Sequence, residues 1–393
     1  MNPQNILFIG MYPNRVNEYR NVFFRNLIYA IADLGVKCTV LSPVSVTKYK
    51  TDVFKIKYHT VDRTDNGSEI DVYYPKYISA SAIQIGKWNT MKLTERLFKR
   101  AVFRAMKHIN TMFDCVYGHF FLHGGLAAIK AGRILGVPSF FAYGECDFQS
   151  QVKDKYGIPR PEEIEGLKGI VSVSQKNTQE LKSLGIVDDI PIITAPNSVD
   201  LSMFCLQSQS RCRKKFNLPE DKFIVGFVGG FIERKGDKRL LEAINKTDGA
   251  YGVFAGRGDT PPTGSKVLFC HALDHNQIPE FLNACDVFCL PTLSEGSCNA
   301  IVEAMACGLP VISSDLPFND DILDDTCSIR IDPNNIEQIA DAVRTLKNDV
   351  HLRKELSDGA LKKSQQLEIG VRAKKILEFM ADKIKKENGD INE

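Results

Sequence analysis

Apolar residues in this chain fall into two kinds of stretch. Short runs that are apolar at nearly every position recur at 6–9, 38–41, 115–117, 139–142, 169–173 and 191–194. Longer stretches with helical periodicity lie between them, among them 20–34 and 124–135. A strand that is apolar throughout is covered on both faces, and strands separated by helices pair in parallel. The spacing predicts a doubly wound α/β sheet in the first half. After Asn197-Ser198-Val199-Asp200 the chain turns polar as far as Lys215, which reads as a linker. The alternation then resumes at 223–228, 251–255, 267–270, 287–290, 310–313 and 328–331. The expected fold is two Rossmann-like, doubly wound parallel-sheet domains facing across a cleft. They span 1–200 and 201–365, and a charged C-terminal helix, about 366–393, packs back on the first. Ligands of such sheets bind beyond the carboxyl ends of the strands, but the fold alone selects no function.

Composition narrows the class. The chain has 393 residues, 44% of them hydrophobic and 25% charged, with a net charge of +2. That excludes a disordered chain and bulk nucleic-acid binding. The opening Asn5-Ile6-Leu7-Phe8-Ile9-Gly10 reads as a buried strand rather than a signal peptide. No apolar run approaches the roughly 18 residues of a membrane span. Eleven scattered cysteines form no Cys-x-x-Cys pair, the usage of a reducing compartment, so the expected location is cytoplasmic. The seven histidines also lack ligand spacing, and no metal site is expected. The near-neutral total hides an asymmetry. Residues 1–150 carry 19 Lys+Arg and 11 Asp+Glu (+8), and the rest carry 31 and 37 (−6). A basic first half suits an anionic partner.

The richest chemistry lies in the stretch from Pro291 to Pro310. A helix is predicted to begin near Ser297–Asn299 and to stop at Gly308, with Pro310 beyond. Its first N–H groups and its dipole make an anion site. Glu295 precedes that turn and Glu303 lies about one turn inside it, so two carboxylates bracket a phosphate position. Two glutamates near a helix start are also simply what such a start favours.

The stretch resembles the E-x7-E signature of the retaining glycosyltransferases of family 4 (glycosyltransferase group 1), which have the GT-B fold. The match continues through Glu303-Ala-Met-Ala-x-Gly-x-Pro-Val311. The resemblance implies that Glu295 contacts the donor sugar and Glu303 the nucleotide ribose. The backbone of Gly296, Ser297, Cys298 and Asn299 would hold the diphosphate. Further matches follow in order. Val228-Gly229-Gly230-Phe231-Ile232-Glu233-Arg234-Lys235-Gly236 is similar to the family's glycine loop, with Lys235 as the phosphate-binding lysine. Gly256 and Arg257 sit in a second glycine turn. Leu273 falls where family members hold the base by backbone contacts. Asn197-Ser198-Val199-Asp200 and Phe204 are similar to the hinge, with Ser198 in place of glycine. The chain departs from the family at Gly230, where an arginine is usual, so Arg234 or Arg257 is left to replace it. Near 316–320 the usual Gly-Gly-x-x-Glu segment is absent.

In the first half, the loop after the first strand is polar and basic, with Arg15 and Arg20 as candidate phosphate contacts. His119 follows a strand, where the family often places a histidine near the reacting carbon; the other reading is a structural histidine. Glu145 and Asp147 also follow a strand and are candidates to orient the acceptor. The predicted helix within 87–109 puts Lys92, Arg96, Lys99, Arg100, Arg104 and Lys107 opposite an apolar stripe. Phe103 lies among the basic residues and Trp88 at the edge of the apolar ones. Trp88, Arg96, Lys99, Arg100, Phe103 and Arg104 suit an anionic membrane surface; an ordinary charged helix face is the other reading.

The resemblance implies retaining, metal-independent transfer from a nucleotide-diphosphate sugar of the UDP or GDP type to a glycan or lipid-linked acceptor. The expected setting is bacterial cell-surface polysaccharide biosynthesis, on the inner face of the membrane. No cofactor and no nucleic acid are called for. Two alternatives stand beside it: a non-catalytic GT-B subunit, motivated by Gly230, and a sugar-nucleotide epimerase.

Overall fold

The computed structural model describes residues 2–18, 21–80, 83–86, 88–185, 187 and 189–389, with the backbone alone at 84, 85, 88 and 386–389. The chain divides into two compact units. The first is Met1–Ala195 with Gly370–Glu393, and the second is Pro196–Ile369. The division falls ahead of the boundary expected at 200. The reason is that Asn197 is already tied into the second unit: its N–H donates to Ser297 Oγ at 3.1 Å and its side-chain amide to Ser297 O at 2.9 Å. Val199 likewise bridges Glu368.

The first unit holds an eight-stranded sheet. Its strands are β1 Asn5–Ile9, β2 Lys37–Leu41, β3 His59–Arg63, β4 Glu69–Tyr73, β5 Cys115–His119, β6 Ser139–Tyr143, β7 Leu167–Ser172 and β8 Ile192–Thr194. Their order is β8-β7-β6-β5-β1-β2-β4-β3, parallel except where β3 returns antiparallel to β4. The buried strands feed both faces. Ile6 and Phe8 belong to one apolar cluster, and Leu7 and Ile9 to another. The β3–β4 hairpin is the part that apolar runs did not reveal. Its strands alternate, β3 between exposed and half-buried positions and β4 between buried and more exposed ones, because β3 is the sheet's edge and β4 lies next to it. Helix α1 Val22–Asp33, helix α2 Met91–Met106 and helix α3 Leu126–Leu135 cover the sheet with their apolar stripes.

The second unit holds six parallel strands: β9 Phe223–Val228, β10 Ala250–Ala255, β11 Val267–His271, β12 Val287–Leu290, β13 Val311–Ser314 and β14 Ser328–Ile331, in the order β11-β10-β9-β12-β13-β14. Helix α4 Asp237–Lys246 follows β9, and helix α5 Asn299–Ala306 follows β12. The last helix, α6 Ile369–Gly389, returns to the first unit. There Ala373, Ile376, Leu377 and Met380 are buried with Phe8 and Phe140. All eleven cysteines are unpaired, and most are buried.

Each sheet has one place where successive connections leave in opposite directions, which opens a crevice at the carboxyl ends. In the second unit it lies between β9 and β12, beyond Val228 and Leu290. In the first it lies between β1 and β5, beyond Ile9 and His119.

Candidate active site

The loop after β9 is folded tightly against its neighbours. The Gly229 N–H donates to Ala255 O at 3.0 Å, and the Phe231 N–H to Arg257 O at 2.8 Å. Gly256 must be glycine, because a Cβ there would lie 1.8 Å from Gly229 O. Gly236 has φ 79° and would place a Cβ 2.4 Å from Pro291 O, so it alone lets α4 start against the β12 loop. Gly230 is different. A Cβ there meets nothing closer than Arg257 O at 3.8 Å, so the position has room for a side chain.

The loop after β12 meets this one. The Leu293 N–H donates to Arg234 O at 2.8 Å, and Ser314 Oγ holds Thr292 O at 2.6 Å. Glu295, 6% exposed, becomes the centre of the crevice. Its Oε1 accepts from Lys235 Nζ at 2.6 Å, Arg234 Nη1 at 2.8 Å and Thr292 Oγ1 at 2.8 Å. Arg234 also donates to Ser294 O. All three side-chain donors converge on one oxygen, and Oε2 makes no hydrogen bond to a described residue. Burial alone would lower the Lys235 ammonium, but Cys298 and the paired Glu295 outweigh it and hold the group above its ordinary value. Lys235 therefore stays charged. Arg234 is anchored on Glu295 instead of standing free at the Gly230 position, and Arg257 is exposed.

Helix α5 begins at Asn299 with no side-chain cap, as Cys298 occupies the N-cap position. Burial pushes the Cys298 thiol up to about 11, so it is neutral there. Asn299 Oδ1 is buried without a partner among the described residues. Gly296, Ser297 and Cys298 form the buried approach to the helix. Glu303 Oε1, inside α5, accepts from His275 Nε2 at 3.1 Å. Leu273 lies half-buried after β11, on the strand whose end holds the Gly256 N–H through His271 O. The donor-side residues named from the sequence thus lie in the segments that follow β9, β10, β11 and β12, and two further residues, Thr292 and His275, hold the glutamates. Thr292 and His275 carried no signal, since each acts through a glutamate that lies beyond its local pattern.

The first unit is arranged differently. His119 ends β5 and is enclosed by aromatic rings: Phe24 stacks on it at 4.2 Å, and Phe23 and Phe120 pack around it. Neither ring nitrogen has a partner among the described residues. Burial, helped by the charge of Arg372 from α6, lowers its pKa to about 3, so the imidazole is neutral. Glu145 and Asp147 are engaged by backbone. The Phe121 N–H donates to Glu145 Oε1 at 2.6 Å and the Gly144 N–H to Oε2 at 3.1 Å. Asp147 accepts the Gln149 and Ser150 N–H groups at 3.3 and 2.8 Å. Both carboxylates hold their loops. Arg15 is exposed on a separate cavity with Glu18 and Lys55, and Arg20 lies outside the described residues.

On α2, Phe98, Val102 and Ala105 are buried, and Arg96, Arg100 and Arg104 are exposed. Two members of the expected membrane face lie elsewhere. Lys99 turns inward to within 3.5 Å of the buried Glu95, and Phe103 lies half-buried under Lys130. The Trp88 side chain lies outside the description. No described helix is long and apolar enough to cross a membrane.

Two α/β sheets of this order, each with its crevice at the carboxyl edge, are the GT-B fold. Residues 208–363 match the family model of glycosyl transferases group 1. TuaC of Bacillus subtilis (strain 168), named as a teichuronic acid biosynthesis glycosyltransferase, is 25% identical over 381 residues, covering 94% of this chain and 96% of that one. Among solved structures, the sucrose-phosphate synthase of Thermosynechococcus elongatus superposes with a TM-score of 0.77 at 17% identity, over 96% of this chain and 98% of that one. HepE of Anabaena, solved in complex with UDP-glucose, gives 0.69 at 15% identity over 96% and 99%.

Proposed function

We propose that this chain is a retaining family 4 enzyme. It would move a sugar from a nucleotide-diphosphate sugar to a glycan or lipid-linked acceptor in bacterial cell-surface polysaccharide assembly. The convergence of Lys235, Arg234 and Thr292 on Glu295 Oε1 carries the reading, because it leaves Oε2 as the oxygen to meet a donor-sugar hydroxyl. The relative named for teichuronic acid biosynthesis supports the setting, and the UDP-glucose bound to HepE supports a nucleotide-sugar donor of the UDP or GDP type.

In this mechanism the bond from the anomeric carbon to the diphosphate breaks while the acceptor oxygen bonds to that carbon on the same face. The acceptor's proton goes to a leaving phosphate oxygen. Charge builds on the diphosphate, where Lys235 and the start of α5 stabilise it. Glu303, steadied by His275, takes the ribose hydroxyls. Glu295 positions the sugar and forms no bond to it. The reading calls on no cofactor and no metal. His119, neutral and enclosed by Phe23, Phe24 and Phe120, takes the structural role at the end of β5. The exposed Arg96, Arg100 and Arg104 would hold the enzyme peripherally on an anionic membrane.

Glu295→Gln tests the assignment. Nucleotide binding followed by calorimetry should be retained, and transfer should fall by about 10²–10³, the range for one preorganised polar contact. Undiminished transfer would refute the role.

A further inference from the structure

A cavity of about 580 Å³ lies in the first unit, between helices α2 and α3 and the segment from Tyr156 to Glu163. None of the residues that follow β1 or β5 at the crevice, 10–18 and 119–125, lines it. Six cations do: Lys92, Arg96 and Lys99 from α2, Lys130 and Arg133 from α3, and Arg160. Their arrangement follows from the sequence. Lys92, Arg96 and Lys99 stand at i, i+4 and i+7, and Leu126, Lys130 and Arg133 repeat the same steps on α3. At about 1.5 Å of rise per residue, each ladder spans about 10 Å. The basic stripe of α2 is thus divided: Lys92, Arg96 and Lys99 line the cavity, and Arg100 and Arg104 do not.

Three acids share the wall, and two of them are engaged by their own neighbours. Glu95 is buried, with Oε2 2.6 Å from His123 Nδ1 and Oε1 3.5 Å from Lys99 Nζ. Glu163 accepts from the Tyr156 hydroxyl, and from the Arg160 N–H at 3.2 Å. Burial raises both carboxyls, but these partners outweigh it and hold both below their ordinary values. Both acids are therefore ionised and occupied. The third, Glu162, is exposed, and its main-chain oxygen accepts from Arg133 Nη1 at 2.9 Å. Lys92, Arg96 and Lys130 form no ion pair with a described residue. Lys92 and Lys130 lie over the rings of Tyr156 and Phe103, 5.9 and 5.5 Å from the centroids. The cavity keeps an excess of three positive charges, and a concave wall of one sign concentrates anions.

We infer that this cavity is a second anion site, separate from the nucleotide crevice of the second unit, and that it takes a compound carrying two or more linked phosphate groups. The inference stands apart from the glycosyl-transfer reading and goes beyond it. Cations set at intervals along about 10 Å repel one another, and a single carboxylate or phosphate would neutralise one end only. A run of phosphates reaches the whole length. The guanidinium groups of Arg96 and Arg133 can take its oxygens in pairs, and the ammonium groups act as point charges. A free polyphosphate compound and a two-phosphate lipid headgroup share this chemistry, and the experiment separates them.

Isothermal titration of the full chain with pyrophosphate, with UDP at saturation to fill the other anion site, tests it without turnover. One pyrophosphate should bind per chain. Lys130→Gln combined with Arg133→Gln should weaken that binding more than about tenfold and leave UDP affinity unchanged, since each change removes a charge-assisted contact. Arg100→Gln, on α2 but outside the cavity, should leave pyrophosphate binding as it is. Lys130 and Arg133 are exposed, so the fold should survive their replacement. If the double variant does not fold by circular dichroism, Lys92→Gln with Arg160→Gln takes its place. The inference fails if no pyrophosphate binds beside UDP, or if the variants bind it as the wild type does. It fails equally if Arg100→Gln weakens binding as much as the double variant, which would mark diffuse surface charge. Vesicles of phosphatidylcholine with cardiolipin then name the source. Displacement of pyrophosphate assigns a lipid headgroup, and no displacement assigns a soluble compound. Absence of UDP binding would count against the transfer reading alone.

Discussion

The carboxyl edges of the two sheets use acidic side chains in opposite ways. In the second unit Glu295 draws two cations and a hydroxyl from two loops onto one oxygen and keeps the other available. In the first unit Glu145 and Asp147 are wrapped by the N–H groups of their own and neighbouring loops. Both arrangements satisfy a carboxylate, but only the first gathers its donors on a single oxygen. The lesson is that an acid after a strand says little until its backbone neighbours are counted. A loop that turns sharply exposes N–H groups, and a nearby carboxylate goes to them first.

The sharpest way to break this contrast is at the glycines that press the second unit's loops together. Gly256→Val should unfold that unit or destabilise it by more than about 4 kcal/mol, since no relaxation clears a backbone oxygen 1.8 Å away. Gly230→Arg should do the reverse. The position has room, so the melting temperature should barely move, and nucleotide-sugar affinity should rise about tenfold, as one added charge-assisted contact to phosphate would give. Isothermal titration with UDP reads it, and unchanged affinity would mean that Arg234 and Lys235 already suffice.

The first unit is best probed through pH. Burial raises the Glu145 carboxyl to about 7, although the Phe121, Glu145, Gly144 and Leu122 N–H groups pull it down. Its folded value lies above the ordinary 4.5, so its contribution to stability is full below about pH 4.5 and is lost as pH rises to 7. His119, lowered from 6.5 to about 3, has the opposite sign and loses stability as pH falls through that window. Between 4.5 and 6.5 the two oppose each other. Glu145→Gln should uncover the histidine, so that the melting temperature declines from about pH 6.5 downward while the wild type holds to about 4.5. Parallel profiles would show that the Glu145 carboxyl titrates normally.

The smallest expected effect is at the surface. Neutralising Arg96, Arg100 and Arg104 together should reduce binding to anionic vesicles severalfold at low salt and leave solution turnover untouched. Lys99→Gln should change vesicle binding little, because that ammonium faces Glu95. Equal losses from both would put Lys99 back on the lipid-facing side.

Much of the second unit was legible before its structure. Most strands there are apolar runs, although β14 carries Arg330, and the residues around Glu295 lie in two short contiguous loops whose spacing survives in one dimension. The first unit hid more. Its β3–β4 edge alternates and so lacks an apolar run. The pairing of Glu95 with His123 joins a helix to a turn 28 residues later, with no local pattern to mark it. The orienting contact of His275 on Glu303 spans the same distance. Side chains that act through one another leave no periodic trace.

The return of α6 to the first unit has a consequence for how the protein is made. The part of that sheet's apolar face left open beside α1 stays uncovered until Ala373, Ile376, Leu377 and Met380 have left the ribosome, by which time the whole of Pro196–Ile369 has been synthesised. The unit translated second can therefore complete its core first. The unit translated first must wait as an unfinished client, exposed to chaperones and proteases for most of the time the chain takes to appear.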